Sequence, residues 1–449
     1  MGLGPKWEKN NYQGIIEAVT GSGKTRIAHE AMLNHLKLGY CVLIIVPTTA
    51  LLEQWRIDIE EMEDTYIKSL INSGQLELLG GDNKPNLRHW RILISTVQSA
   101  MDRNLPPQGK GGLLIADECH WYGAPKYSKA LKEPYLRRLG LTATCERNDD
   151  GIEKYLYPYF GGKVSTFSYR DALAEKVISP FKFSFFGVEL THEEREDYDK
   201  CNFWCWKYKK KLIENYGVVE KPFGDFFRTV SLLKKNGNKD AGYFLSNFTK
   251  KRKLLAKTVN KYNSISNLAD IIKSAKRTIV FSQTQDASEK VIEPLKNKNI
   301  NADFIHSGMN EWDREQVLID FKTGDIDVVA APKVLDEGIN VPSADLAIIM
   351  ASSKSKRQMI QRTGRVLRKE EGKIAKILVM YAKDTSEDPE SDANECFLEV
   401  ITNAVGEDNI RKFDDNTIND LKVFFSPIDN KHKRSQNNNN YSHGRVIMY

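Results

Sequence analysis

No run of apolar residues approaches the ~20 needed for a membrane-crossing helix, and the N-terminal stretch lacks the apolar core of a secretion signal. Membrane-spanning and exported classes are therefore set aside, and a cytoplasmic location is expected. Cysteine is scarce: six residues scattered over 449 read as free thiols of a reducing compartment, not as a disulfide framework. Cys201 and Cys205 stand four apart with no second ligand pair nearby, so no zinc site is expected there. Charge of one sign is not dominant either. The net +6 is modest, so its distribution matters more than its size. What remains, 41% hydrophobic and 28% charged residues, suits a solvated surface around packed cores. A chain of 449 residues should hold two or three of them, since one core rarely grows beyond roughly 250–300 residues.

One glycine is also missing where it matters. "EAVTGSGKT", Glu17 to Thr25, nearly spells the phosphate-binding pattern G-x-x-x-x-G-K-[ST], but Ala18 stands at its first position. The surroundings are those of a phosphate loop. The apolar run "GIIEA" predicts a buried strand before it. After it, "RIAHEAMLNHLKLG" carries Ile27, Ala28, Ala31, Met32, Leu36 and Leu38 as a helical stripe closed by Gly39. Strand, glycine loop and helix point backbone N–H groups and a helix dipole at phosphate. Thr20 to Thr25 form the candidate cradle: Gly21 and Gly23 for the backbone turn, with Thr20 and Ser22 beside them, Lys24 for charge and Thr25 for a magnesium ion.

Short apolar runs recur through both halves of the chain. "CVLIIVP", "RILIST", "GLLIADE" and "RLGLTAT" in the first half predict strands of a parallel sheet covered on both faces, with polar residues gathered at their carboxyl ends. "RTIVFSQT", "ADFIHSG", "IDVVAAP", "ADLAIIMAS" and "AKILVMYA" repeat that grammar in the second half, which has no Walker A sequence of its own. Between them, Cys201 to Asn260 holds fourteen Lys/Arg against four Asp/Glu, and eleven aromatics. Such interleaving suits a nucleic-acid groove, with lysines on phosphate and rings on bases, the candidates being Lys209, Lys210 and Lys211. It equally suits a helical insertion whose rings pack and whose lysines are solvated. The expected organisation is an α/β fold of two parallel-sheet domains in tandem: residues 1–180, a basic and mostly helical linker 181–265, a second domain 266–425, and a polar, Asn-rich tail 426–449 expected to be disordered.

"LLIADECH" places Asp117 and Glu118 after an apolar strand, ninety residues beyond the loop. In nucleoside triphosphatases such a pair holds magnesium and activates water. Here a resemblance becomes specific. "DECH" is a DExH box, and "AVTGSGKT" looks like the A-x-x-G-x-G-K-T loop of superfamily 2 helicases, in which Ala18 is usual. Motifs Ia ("VPTTALLEQW"), Ic ("ISTVQS"), III ("LTAT"), IV ("IVFSQT"), V ("VLDEGINVP") and VI ("QRTGRVLR") follow in order. "LTATCERNDDG" and "QRTGRVLR" most resemble the XPB-like DNA helicases and their bacterial and phage relatives.

The resemblance implies two RecA-like domains, ATP and Mg²⁺ as cofactors, and roles for particular residues. Lys24 would bind the β/γ-phosphates, Thr25 and Asp117 the magnesium ion, and Glu118 would act as base toward water. Gln361 and Arg362 would contact nucleotide, and Arg365 and Arg368 would serve as arginine fingers, an effect worth ~10³–10⁵ in rate. Glu337, Gly338 and Asn340 would lie near the ribose and the nucleic-acid track. Thr48, Thr49, Ser95 and Thr96 would grip backbone phosphates without reading sequence. Thr142 and Thr144 would couple that track to the ATP site, or form a buried threonine turn. Three departures stand out. No Q-motif glutamine precedes the loop at the usual spacing, Gln13 being too close. The family's Arg-Glu-Asp element is Arg147-Asn148-Asp149, and motif V has Asn340 where Asp is common. The expected function is an ATP-dependent DNA helicase or duplex translocase in repair, recombination or defence, with other subunits or a chain supplying the missing N-terminal part as partners. An RNA-directed ATPase of the same superfamily and a non-catalytic nucleic-acid-binding scaffold are the alternatives.

Overall fold

The computed structural model describes residues 4–147, 149–220, 223–306, 308–332, 342–350, 364, 366–389 and 401–426. Motif V, most of motif VI including Gln361, Arg362 and Arg365, and the tail from 427 lie outside these residues.

The first sheet contains β1 (Gln13–Ala18), β2 (Cys41–Val46), β3 (Leu76–Leu79), β4 (Ile92–Thr96), β5 (Gly112–Ala116), β6 (Arg137–Thr142) and β7 (Lys163–Phe167). All pairs are parallel, in the order β3-β4-β2-β5-β6-β1-β7. Every residue of β2, β4 and β5 is buried, as continuous apolar strands covered by helices on both faces must be. Strand order reverses beside β1 and β5, and the loops leaving their carboxyl ends carry the glycine loop and the acidic pair. This is where ligands of open parallel sheets bind.

The second sheet repeats the design with β8 (Phe181–Val188), β9 (Thr278–Phe281), β10 (Ala302–Phe304), β11 (Val328–Ala331), β12 (Leu346–Ile349), β13 (Ala375–Ala382) and β14 (Ile410–Asp414), ordered β10-β11-β9-β12-β13-β8-β14 and again parallel. Here the structure corrects an expected boundary. Residues 181–188, expected to open the helical linker, form a fully buried strand between β13 and β14. Its charge is accommodated because the Lys182 ammonium donates to the carbonyls of Phe424 (2.5 Å) and Ser426 (2.9 Å).

The helical part is therefore an insertion within the second α/β unit. Helices His192–Tyr216, Phe223–Lys235 and Lys239–Ala256 pack around Cys205, Leu212, Phe226, Val230, Phe244 and Phe248. Its stem is fixed to the end of β13: Lys261, fully buried, pairs with Glu387 at 2.5 Å, and Arg195 donates to the carbonyls of Lys383 and Asp384. Among the described residues no helix is long and apolar enough to cross a membrane, and no cluster of three His, Cys, Asp or Glu could hold a metal.

Candidate nucleotide site and its links to nucleic-acid positions

The glycine loop leaves β1 at Ala18 and turns into helix Lys24–Lys37. Gly21 (φ 83°) and Gly23 (φ 86°) occupy the left-handed region that a side chain would strain. A Cβ on Gly23 would meet nothing within 4 Å, so the mouth of the loop is open. Beside it the buried hydroxyls of Thr20 and Ser22 have no hydrogen-bond partner among the described residues. Buried polar atoms are rarely left so, and an anion at the helix N-terminus is what these would face. The Lys24 ammonium folds back onto the loop, donating to the carbonyls of Ala18 (2.9 Å) and Val19 (3.5 Å). Desolvation lowers its pKa, against the opposing pull of Glu118 and Asp117. Open mouth, orphaned hydroxyls and enclosed cation together fit a nucleotide phosphate.

Asp117 follows β5 and is 8% exposed. One carboxylate oxygen accepts from the Trp55 indole N–H at 2.9 Å, the other from the backbone N–H of Glu118 at 2.9 Å. Burial raises its pKa, opposed by the Trp55 hydrogen bond and by Lys24. Glu118 sits at φ 46°, ψ 50°, a left-handed conformation that costs a non-glycine residue of order 1–3 kcal/mol. Such strain persists only where the surroundings hold it, and here it turns the glutamate out of line with the strand.

His120 ties the acidic pair to motif III. Its Nδ1 lies 3.0 Å from Thr142 Oγ1 and 3.4 Å from Glu118 Oε2, and Thr142 Oγ1 donates to the carbonyl of Thr144 at 2.8 Å. Thr142 and Thr144 are thus a buried threonine turn that touches the acidic loop through one histidine. The Arg147 guanidinium donates to the His120 carbonyl at 2.5 Å and forks onto Asp149 with two bonds of 2.7 Å. Asp149 has its pKa lowered chiefly by that fork, with Arg228 of the helical insertion contributing. The Arg147–Asp149 element is spent on internal bracing of the acidic loop.

The second domain meets the loop directly. A Cβ on Gly364 would stand 2.2 Å from Thr20 Cβ, and one on Gly21 would stand 3.2 Å from the Gly364 carbonyl, so both positions require glycine for close approach. Arg368 pairs with Ile178 across an isolated bridge, and its carbonyl accepts from Ser179 (3.2 Å) and Lys373 (3.3 Å). Burial lowers its guanidinium pKa, offset by Asp58 on helix Thr49–Glu60 of the first domain. Of the expected motif VI residues the structure thus brings Arg368 to the first domain.

The expected phosphate-gripping residues divide. Thr49 is exposed and Thr48 half-buried at the N-terminus of helix Thr49–Glu60, where the Thr48 hydroxyl caps Leu51. Ser95 and Thr96 are buried, Ser95 donating to the Thr96 carbonyl and Thr96 capping Ser99. Their hydroxyls serve the turn after β4 and do not face solvent. Lys209, Lys210 and Lys211 each have a carboxylate within reach: Glu220 (2.5 Å), Glu214 (3.7 Å) and Asp240 (3.6 Å). On the same helix Phe203 and Trp206 are 52% and 60% exposed, while Trp204 and Tyr208 form a stacked row with Tyr243 of helix Lys239–Ala256 at 5.8 and 5.2 Å, with Lys207 4.7 Å above Trp204. The insertion's rings therefore divide between faces, some packed inward and others exposed.

Two family models match the chain. One is the res subunit of type III restriction enzymes over residues 3–147, the other the helicase conserved C-terminal domain over residues 260–370. A DNA 3'-5' translocase XPB2 of Sulfurisphaera tokodaii is 32% identical over 386 residues, 85% of this chain and 80% of that protein. The chain belongs to the XPB-like helicases of superfamily 2. A putative DNA 3'-5' helicase Rad25 of Haloarcula marismortui is 25% identical over 84% of this chain, which spans 50% of that relative's length. Among solved structures, S. cerevisiae Dbp5 bound to RNA and ADP BeF3 superposes with a TM-score of 0.58 at 12% identity, covering 93% of this chain and 90% of the other. That likeness shows tandem RecA-like domains. Membership of this family makes the protein an ATPase/helicase-type enzyme with nucleotide-dependent activity.

Proposed function

We propose that the protein hydrolyses ATP with Mg²⁺ to translocate on, or unwind, duplex DNA. The observation that carries the reading is the proximity of three parts: a glycine loop whose Thr20 and Ser22 hydroxyls lack partners among the described residues, the Asp117–Glu118 pair whose charges act on Lys24, and the backbone of Gly364 and Arg368 against that loop from the other domain. Lys24 binds the β/γ-phosphates, and Thr25 and Asp117 hold the magnesium ion. That ion, when bound, neutralises charge on the transferred phosphoryl group. Glu118 orients and deprotonates the attacking water. Arg365 and Arg368 stabilise transition-state charge from the second domain, so hydrolysis depends on how the two domains meet. Gly338, Asn340, Gln361 and Arg362 complete the nucleotide and track contacts from that side.

The track itself is expected to run past Thr48 and Thr49 and the outward rings and lysines of the insertion, contacts that grip backbone without reading sequence. DNA names on the two relatives favour DNA as the polymer. The deciding experiment is the ATPase rate with no nucleic acid, single-stranded DNA, duplex DNA or RNA. Strongest stimulation by duplex DNA supports the reading. Stimulation by RNA alone transfers it to an RNA-directed ATPase, and no hydrolysis under any condition leaves a nucleic-acid-binding scaffold.

A further inference from the structure

Trp55 is one residue of the site that the motif roles leave without a task. It lies on helix Thr49–Glu60, is 1% exposed, and donates its indole N–H to Asp117 Oδ2 at 2.9 Å across 62 residues of sequence. Behind it the His29 ring, from the helix that follows the glycine loop, packs edge-on at 5.1 Å and 81°. A buried tryptophan needs an acceptor for its N–H, and a backbone carbonyl commonly serves. Here the acceptor is the carboxylate at the end of β5. The Glu118 backbone N–H holds the other oxygen at 2.9 Å, so both oxygens are fixed and neither torsion of the side chain is free. A carboxylate has about four lone-pair sites, and two donors leave each oxygen with one more. Such an oriented, half-used carboxylate is what a divalent cation takes as ligand, and donors behind a metal ligand set its orientation and basicity.

We propose that Trp55 is a positioning residue for the metal site: its indole N–H holds Asp117 in the orientation that binds the Mg²⁺ ion of the nucleotide complex. The inference rests on the reading of Asp117 given under Proposed function. Helix Thr49–Glu60 is well placed for this task because its inner face is buried through Leu52, Trp55 and Ile59, so Trp55 is carried on a rigid element and not on a loop.

The test replaces Trp55 in the full chain by β-(3-benzothienyl)alanine, an isostere with sulfur in place of N–H, with Trp55→Phe alongside. Binding of a fluorescent ADP analogue is measured against Mg²⁺ concentration and in EDTA, together with Tm. No turnover is needed. The expected result is a rise of about tenfold or more in the Mg²⁺ concentration giving half-maximal enhancement of binding, with affinity in EDTA unchanged, as removal of a donor behind a metal ligand typically costs 10–100-fold in metal affinity. An unchanged Mg²⁺ dependence in the isostere, with Asp117→Asn strongly shifted, overturns the inference alone. Equal losses with Mg²⁺ and in EDTA also overturn it, because they indicate general packing. If Asp117→Asn itself leaves the Mg²⁺ dependence in place, the metal reading of Asp117 falls and this inference falls with it. Should Trp55→Phe fail to fold, the isostere still decides.

Discussion

Replacing Lys209, Lys210 and Lys211 together by alanine tests whether the helical insertion lies along nucleic acid. Each phosphate neutralised on duplex DNA releases counterions and contributes about 0.9 to the slope of log affinity against log salt, so three unpaired lysines would flatten that slope by about 2.7 when removed. The structure lowers this figure. Each of the three lysines has a carboxylate partner at 2.5–3.7 Å, in the order Glu220, Glu214 and Asp240. Such exposed pairs are worth only about 0–1 kcal/mol and can be exchanged for phosphate, but the carboxylate left behind keeps a counter-charge near the backbone. The triple variant should therefore flatten the slope by about 1. Lys250, Arg252 and Lys253 on helix Lys239–Ala256 are exposed and carry no ion pair among the described residues, so their triple alanine variant should approach the full effect. Trp206→Ala, which removes an exposed ring, should cost about 1–3 kcal/mol of single-strand binding with little salt dependence. The assay is fluorescence anisotropy at four or more salt concentrations, with melting curves as a control for folding. Unchanged slopes in both lysine/arginine triples would refute the groove. A larger effect from the carboxylate-paired triple than from the unpaired one would refute the argument from ion pairing.

Three further outcomes follow from the site and its supports. Glu118→Gln should keep nucleotide affinity while reducing turnover about 10²–10⁴-fold, the contribution of a positioned general base, measured by phosphate release. Arg365→Ala or Arg368→Ala should lower nucleic-acid-stimulated hydrolysis by about 10³-fold or more with a smaller change in nucleotide affinity, and stimulation that survives both changes would mean that the cleft works differently. Lys261→Met leaves Glu387 buried without its cation and should destabilise the second domain by about 3–5 kcal/mol in denaturant unfolding, whereas Lys261→Met with Glu387→Leu should regain most of it.

Much of the fold was legible because buried parallel strands have a signature that needs no partner to be seen. Cys41–Val46 is apolar throughout and Ala375–Ala382 carries a charge only at Lys376, since helices cover both faces. The edge strands β3, β7 and β14 escaped the reading for the converse reason: they are partly exposed and carry residues such as Glu77, Lys163, Arg411 and Lys412 that break an apolar run. β8 was missed because Lys182 and Ser184 make it look amphipathic, and only the folded chain supplies the carbonyls of Phe424, Ser426 and Ile377 that satisfy them.

The candidate site divides along the same line. The loop, the acidic pair and the arginines of motif VI announce themselves because their chemistry demands fixed residue types at short spacing. Trp55, His29 and Asp58 carry no such signal, and the Arg147-Asn148-Asp149 element does not announce its grip on the acidic loop. Each acts on a motif residue from a distant part of the chain or through the backbone, as when Arg147 grips the His120 carbonyl and the charge of Asp58 acts on Arg368. Helix Thr49–Glu60 gathers this most clearly: the candidates Thr48 and Thr49 open it, Trp55 reaches Asp117, and the charge of Asp58 acts on Arg368. A rigid helix that carries Thr49, Trp55 and Asp58 cannot shift at one without moving the others. The physical link between polymer and nucleotide is therefore to be sought in this helix as much as in the Thr142–Thr144 turn, whose contact with the acidic loop runs through His120.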